Sequence, residues 1–326
     1  MQNQDAVEKP RGGLLCGKVR TCGTADVPQL RPGRKKGLML PGAALGAAML
    51  LAGSAAAQSF FFSTGAPDGL MATASRQGTG GSLEIESADD FSVPTEVSLN
   101  HATFTGLLPS GAKLSDINQV TVEIYRVFPK DSGPFDNRVP TRVNSPSDVA
   151  FASRDSASSS LTFSASVLQN IFTAGNSVLN GINPKPGNVT LGEGPVTGQE
   201  VLFTVNFNPL DLPADAYFFI PQVKLNNGDF FWLSAPKPIT APGTPFSPDR
   251  QSWIRNGDLD PDWLRIGADI VGGNPAPAFN ASFSLSGTVP DSSSTAGLLV
   301  VAFVGFLCCT RGGEKPMRRI PNGPRL

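Results

Sequence analysis

Apolar and polar residues alternate with a period of two along much of this chain. Val120, Val122 and Ile124 alternate with Thr121, Glu123 and Tyr125; Leu161, Phe163, Ala165 and Val167 with Thr162, Ser164 and Ser166; Val201, Phe203, Val205 and Phe207 with Leu202, Thr204 and Asn206. Near the end, Phe279, Ala281, Phe283 and Leu285 alternate with Asn280, Ser282, Ser284 and Ser286. Successive side chains of a strand point to opposite faces, so each run sets an apolar row against a polar one and fits a half-buried β-strand. Glycine (35) and proline (29) together fill about a fifth of the 326 positions, and helix interiors reject both. No helical period is sustained anywhere. Hydrophobic residues make up 40%, enough for a core. These features predict an all-β fold: a single antiparallel β-sandwich of about eight to ten strands, jelly-roll-like, over residues 58–288.

Further strands are expected at residues 83–86, 96–99 and 102–108. Residues 217–225 and 230–234 bracket Asn226-Asn227-Gly228-Asp229, whose Asn-Gly pair tolerates positive φ angles and predicts a tight hairpin. A short helix fits within residues 164–180, although Gly175 and Gly181 interrupt it. Stretches 128–146, 183–195 and 235–248 are rich in Pro, Gly, Ser and Asn and read as surface loops.

Charge is distributed unevenly. Residues 1–57 carry a net +5, residues 58–290 a net −9 and residues 291–326 a net +3. An acidic middle argues against nucleic-acid binding, and the basic ends suit membrane contact. Arg31, Arg34, Lys35 and Lys36 precede an uncharged Ala/Leu-rich stretch over residues 37–53, followed by Ala55-Ala56-Ala57-Gln58. A basic region, a short apolar region and an A-x-A site together predict a secretory signal peptide cut between Ala57 and Gln58, with Ala55 and Ala57 as the small residues. Residues 1–57 then form an N-terminal extension plus signal, handled by the Sec export machinery.

At the other end, the 19 residues 292–310 carry no charge. As a helix they would span roughly 28 Å, close to the hydrocarbon thickness of a bilayer. A transmembrane helix is therefore expected, centred on residues 296–310. Arg311, Lys315, Arg318 and Arg319 follow as a stop-transfer cluster that stays cytoplasmic; residues 320–326 are a short tail. Just before the span stand Val289, Pro290, Asp291, Ser292, Ser293, Ser294 and Thr295. Pro290 holds Val289 extended, which suits presentation to an enzyme cleft.

This three-part tail, a Val-Pro-Asp-Ser motif, one apolar span and a basic end over residues 289–319, resembles the PEP-CTERM class of bacterial sorting signals in its VPDSG variant. Ser293 stands where the variant has Gly, and Gly312, Gly313 and Glu314 interrupt the basic end. The resemblance implies recognition by an exosortase, a membrane transpeptidase of Gram-negative bacteria that make extracellular polysaccharide.

All four cysteines, Cys16, Cys22, Cys308 and Cys309, lie in the two ends, so the exported middle is expected to fold on core burial alone. Its chemistry is sparsely signalled. His101 is the single histidine and lacks a G-x-S-x-G context, so a turn or strand-end position is expected for it. Asp258, Asp260, Asp262 and Asp269 match positions 1, 3, 5 and 12 of a Ca²⁺ loop. Trp263 replaces the required Gly, however, and position 12 is not Glu, which favours an acidic surface loop with Trp263 in the core. Adjacent Asp89 and Asp90 would point to opposite faces of a strand, and an acidic surface turn is expected there. No catalytic residue, metal or cofactor is assigned. The expectation is a non-enzymatic surface or matrix protein with a structural or adhesive role and extracellular polysaccharide as a partner. The alternative is a carbohydrate-binding or carbohydrate-cleaving module. Exposed coplanar Trp or Tyr rings would favour binding, and carboxylates roughly 5–10 Å apart across a cleft would favour cleavage.

Overall fold

The computed structural model describes residues 58–128, 144–182, 189–239, 250–259 and 262–290. The expected signal peptide, the transmembrane span, its basic flank and most of the three predicted long loops fall outside the described residues. No helix among the described residues is long and apolar enough to cross a membrane.

The first strands are β1 (Gln58–Ser63), β2 (Met71–Ala74), β3 (Ile85–Val93), β4 (Val97–Pro109) and β5 (Ile117–Arg126). The middle of the chain gives β6 (Ala152–Asp155), β7 (Leu161–Ala174), β8 (Asn176–Val178), β9 (Val196–Leu212) and β10 (Asp215–Leu225). The last are β11 (Phe231–Ala235), β12 (Trp253–Asn256), β13 (Leu264–Arg265), β14 (Asn280–Ala281) and β15 (Phe283–Val289). They form two sheets. One runs β1-β15-β4-β9-β7, with β11, β2 and β8 continuing from the far end of β4. The other runs β13-β12-β3-β10-β5-β6.

Nested pairing explains this order. The outermost strands β1 and β15 pair in the first sheet, β3 and β10 in the second, β4 and β9 in the first again, and β5 and β6 in the second. A long antiparallel ribbon rolled around a barrel gives this alternation, so the fold is a β-sandwich of jelly-roll order. One pair departs from the antiparallel rule: β8 runs parallel to β2. It is only three residues long, and at its start the Gly175 N–H donates to the distant Gly69 carbonyl (2.8 Å) and the Asn176 N–H to that of Leu70 (3.1 Å).

The core lies between the sheets and is dominated by rings. Phe104 stacks on Phe203 at 4.8 Å, and the Phe230 ring stands edge-on to both. Phe219 stacks on Phe283 at 5.1 Å, with Trp232 packed across the pair. Such offset and edge-to-face contacts add to the area term of burying large aromatic groups. Two smaller clusters lie elsewhere. One joins β2, β11 and Leu107 to Ile254, Ile266 and Ile270; the other, of Ala88, Tyr125, Phe218, Ile220, Trp253 and Trp263, covers the outer face of the second sheet.

Three local expectations are corrected. The turn at residues 226–229 forms, with Gly228 at φ +81°, but it joins no hairpin: β10 belongs to the second sheet and β11 to the first. Asn-Gly specifies a tight reversal, not the sheet that receives the next strand, and the wish of both strands to bury one face against the other sheet decides that. Residues 164–180 hold strand, not helix, because the alternating row Phe163, Ala165, Val167 packs on the core. The separate strands expected at 96–99 and 102–108 are one strand, β4, whose register shifts between Leu99 and His101.

Candidate functional site

A set of interacting ionisable residues lies on the outer face of the second sheet. Alternation on β3 sends Phe91 and Val93 into the core and Glu86 outward. On β5, Val122 and Ile124 face the core while Glu123 and Tyr125 face out. Register then aligns these outward residues across strands: Arg255 of β12 lies opposite Glu86, and Phe218 of β10 opposite Tyr125.

The outer face is not left to solvent. Trp263 is fully buried and stands edge-on to Tyr125 at 5.7 Å; its indole N–H donates to the Ser147 carbonyl at 3.3 Å. The Arg255 guanidinium lies 4.4 Å from the centre of the Trp263 ring and 5.4 Å from that of Tyr125. Its charge is met by Glu86, to which Nε donates, and its remaining nitrogens donate to the Asp148 carbonyl (3.2 Å) and the Tyr125 hydroxyl (3.0 Å). Both Arg255 and Glu86 are buried. At the rim, exposed Glu84 accepts from the Gln222 amide at 2.7 Å.

The Tyr125 hydroxyl lies 2.9 Å from one carboxylate oxygen of Glu86 and 3.2 Å from one of Glu123. A phenol has a single proton to donate, so it can serve only one of the two carboxylates at a time. The other contact is satisfied when Glu123 itself carries a proton. Burial, and then the neighbouring Glu86 charge, push the Glu123 ionisation up from 4.5 to about 7. Burial and the same carboxylate also hold the Tyr125 phenol well above its ordinary value. Two carboxylates, one phenol and one guanidinium therefore form a closed, hydrogen-bonded set that stores a proton near neutral pH.

This has a consequence for stability. Between pH 4.5 and about 7 the folded chain keeps a proton on Glu123 that the unfolded chain has released, so the stability gained from Glu123 is complete at low pH and is lost as pH rises through 7. Glu123→Gln keeps the shape and removes the titration. Its melting temperature is expected to exceed that of the parent protein by several degrees at pH 8 and to match it near pH 4. Equal differences at both pH values, measured by thermal denaturation, would show that Glu123 does not hold this proton.

Asp89 and Asp90 do not form the surface turn expected for them; both are buried in mid-β3. They do point to opposite faces. Asp89 reaches inward, where it accepts from the Ser252 hydroxyl (3.0 Å) and the Ala281 N–H of β14 (2.8 Å), linking the two sheets. Burial, and then the Asp90 charge, raise its ionisation well above the ordinary carboxylate range. Asp90 faces out and accepts from the Arg250 N–H at 2.8 Å. A surface turn was the wrong expectation because two adjacent acids read as solvated, whereas here each has its own donors.

Three of the four aspartates with Ca²⁺-type spacing are described. Asp269 gives both carboxylate oxygens to Arg265 (2.9 and 2.8 Å) and accepts the Arg265 N–H (2.8 Å). Asp262 is buried and Asp258 exposed; Asp260 falls outside the described residues. No three His, Cys, Asp or Glu among the described residues converge on a cation position. Trp263 lies in the interior, as the sequence predicts. His101 occupies neither a turn nor a strand end: it sits at the β4 bulge with Nδ1 2.9 Å from the Asn206 amide oxygen.

All three tryptophans and both tyrosines of the chain are buried, so none of these five rings is exposed for sugar stacking. Of the sorting-signal residues, Gln58, Val289 and Pro290 are described. Gln58 opens β1, Val289 closes β15, and Pro290 is exposed just beyond. Ala55, Ala57, residues 291–295 and the basic residues Arg311, Lys315, Arg318 and Arg319 lie outside the described residues. The cluster around Tyr125 escaped sequence reading because its ionisable members come from three strands that are distant in the sequence. A tyrosine in the polar row of β5 was the one available hint that this row is covered. The chain matches no protein-family model, no curated protein and no solved structure.

Proposed function

We propose that this chain is an exported bacterial surface or extracellular-matrix protein, sorted through residues 289–319 by an exosortase, whose sandwich has a structural or adhesive role. The observation that carries this reading is a register pair. Gln58, the first residue after the expected cleavage, lies opposite Val289, the first residue of the sorting motif. Both ends of the described sandwich therefore leave from the same end of one edge pair, and its described strands all lie between Gln58 and Val289. A body delimited in this way can survive removal of both without losing a strand. The buried tryptophans and tyrosines, and carboxylates committed to internal donors, favour a structural role over sugar cleavage. Glu86 and Glu123 share one phenol instead of facing each other across a cleft with room for substrate.

Mass spectrometry of the protein recovered from envelope and medium tests this. The expected mature chain begins at Gln58 and ends within the 289–295 motif. Pro290→Ala alters an exposed residue outside the strands and is expected to leave the tail attached and the protein in the membrane fraction. Full-length protein, folded and dissolved in the cytosol, would overturn the proposal.

A further inference from the structure

The edges of the two sheets are guarded unequally. An edge strand offers a row of unpaired N–H and C=O groups to any passing strand, and proteins usually blunt it with charge, proline or shortness. In the second sheet, β6 is four residues long and carries Arg154 and Asp155, and β13 is two residues long with Arg265 held by Asp269. In the first sheet β7 is 14 residues long, pairs only with β9 among the described strands, and contains no charged residue and no proline. Its first half, Leu161 to Val167, keeps unbroken register with β9; the two irregularities come later, between Val167 and Phe172.

The inward row of that half is also unfinished. Phe163, Ala165 and Val167 pack on the core but stay half-buried, whereas Val201, Phe203 and Val205, opposite them on β9, are fully buried. Just beyond, Leu168 and Ile171 are 51% and 78% exposed. A strand with charges would face no counter-charge on this edge, but a neutral strand with the same alternation would complete the row.

We infer that β7 is a self-association edge: a second copy of this chain pairs its own β7 antiparallel to the first about a two-fold axis, merging two sandwiches into one continuous sheet. Faces match only when odd-numbered residues pair with odd-numbered ones, because a one-residue slip would send the apolar row to the solvent side. In that register Leu161, Phe163, Ala165 and Val167 of one copy extend the inner face of the other, and Thr162, Ser164 and Ser166 stay outside. The interface is isologous, so it closes at two copies.

The test uses the full chain in detergent, with mass measured by light scattering after size exclusion. The parent protein is expected to run as two copies. Ser164 and Ser166 have exposed side chains, so the pair S164K/S166K is expected to keep the parental melting temperature and halve the mass, because like charges then oppose each other across the axis. S164E/S166E is expected to behave likewise, and an equimolar mixture of the Lys and Glu forms to restore the two-copy mass. A one-copy parent protein would overturn the inference, as would a two-copy mass that persists in the Lys form, which would place the contact at β1 or in the terminal segments. Neither result bears on the export proposal, which is read from the two termini.

Discussion

Arg255→Met is expected to cost about 3–5 kcal/mol of stability, because it leaves the Glu86 carboxylate buried without its guanidinium. A domain of this size changes its Tm by roughly 2–4 °C per kcal/mol, so the melting transition should fall by about 6–20 °C. The loss has two parts that a second substitution separates. Buried ion pairs often gain little over well-packed apolar groups, and what is expensive is the orphaned charge. Arg255→Met combined with Glu86→Leu is therefore expected to recover much of the loss, although the Tyr125 hydroxyl would keep only its Glu123 contact at 3.2 Å. Urea midpoints of the parent and the three variants close the cycle. A single-variant loss below about 1 kcal/mol would mean that solvent reaches Glu86 once Arg255 is gone.

Gly106→Ala is expected to be similarly severe for a steric reason. Gly106 lies in mid-β4 facing the rings, where a methyl group would overlap the Phe230 ring and stand 2.7 Å from the Phe231 carbonyl oxygen. Phe230 cannot retreat without leaving Phe104 and Phe203, so overpacking and lost ring contacts combine to about 3 kcal/mol. Phe230→Leu alone creates a void and should also destabilise. The double variant gives the methyl group the space that the ring vacates, and its loss is expected to be smaller than the two single losses added together. Strict additivity in thermal denaturation would show that the ring is not what Gly106 accommodates.

Sequence alone revealed the layers of this fold because burial on one face of a strand leaves a periodic mark. Val201 to Phe207 of β9 and Leu161 to Val167 of β7 carry that mark and sit where it predicts. What it could not reveal is partnership. The Asn226-Asn227-Gly228-Asp229 turn looks the same whether the chain doubles back or crosses to the opposite sheet, since both need a positive φ at Gly228. Register between distant strands is equally silent, and the Tyr125 cluster is made wholly of register: Glu86, Glu123 and Arg255 meet only because β3, β5 and β12 are aligned as they are. Asp89 was misread for the same reason, because its donors Ser252 and Ala281 are far away in the sequence.

The order of the nested strands also constrains when the molecule can close. Among the described strands β1 has one neighbour, β15, and β15 is the last of them in the chain. A ribosome or a narrow pore that delivers the chain from its beginning releases β1 first and its only partner last, so the barrel cannot seal around its rings while synthesis or threading is under way. Until then the leading strand has no described partner, and closure of the sandwich waits for Phe283 to Val289.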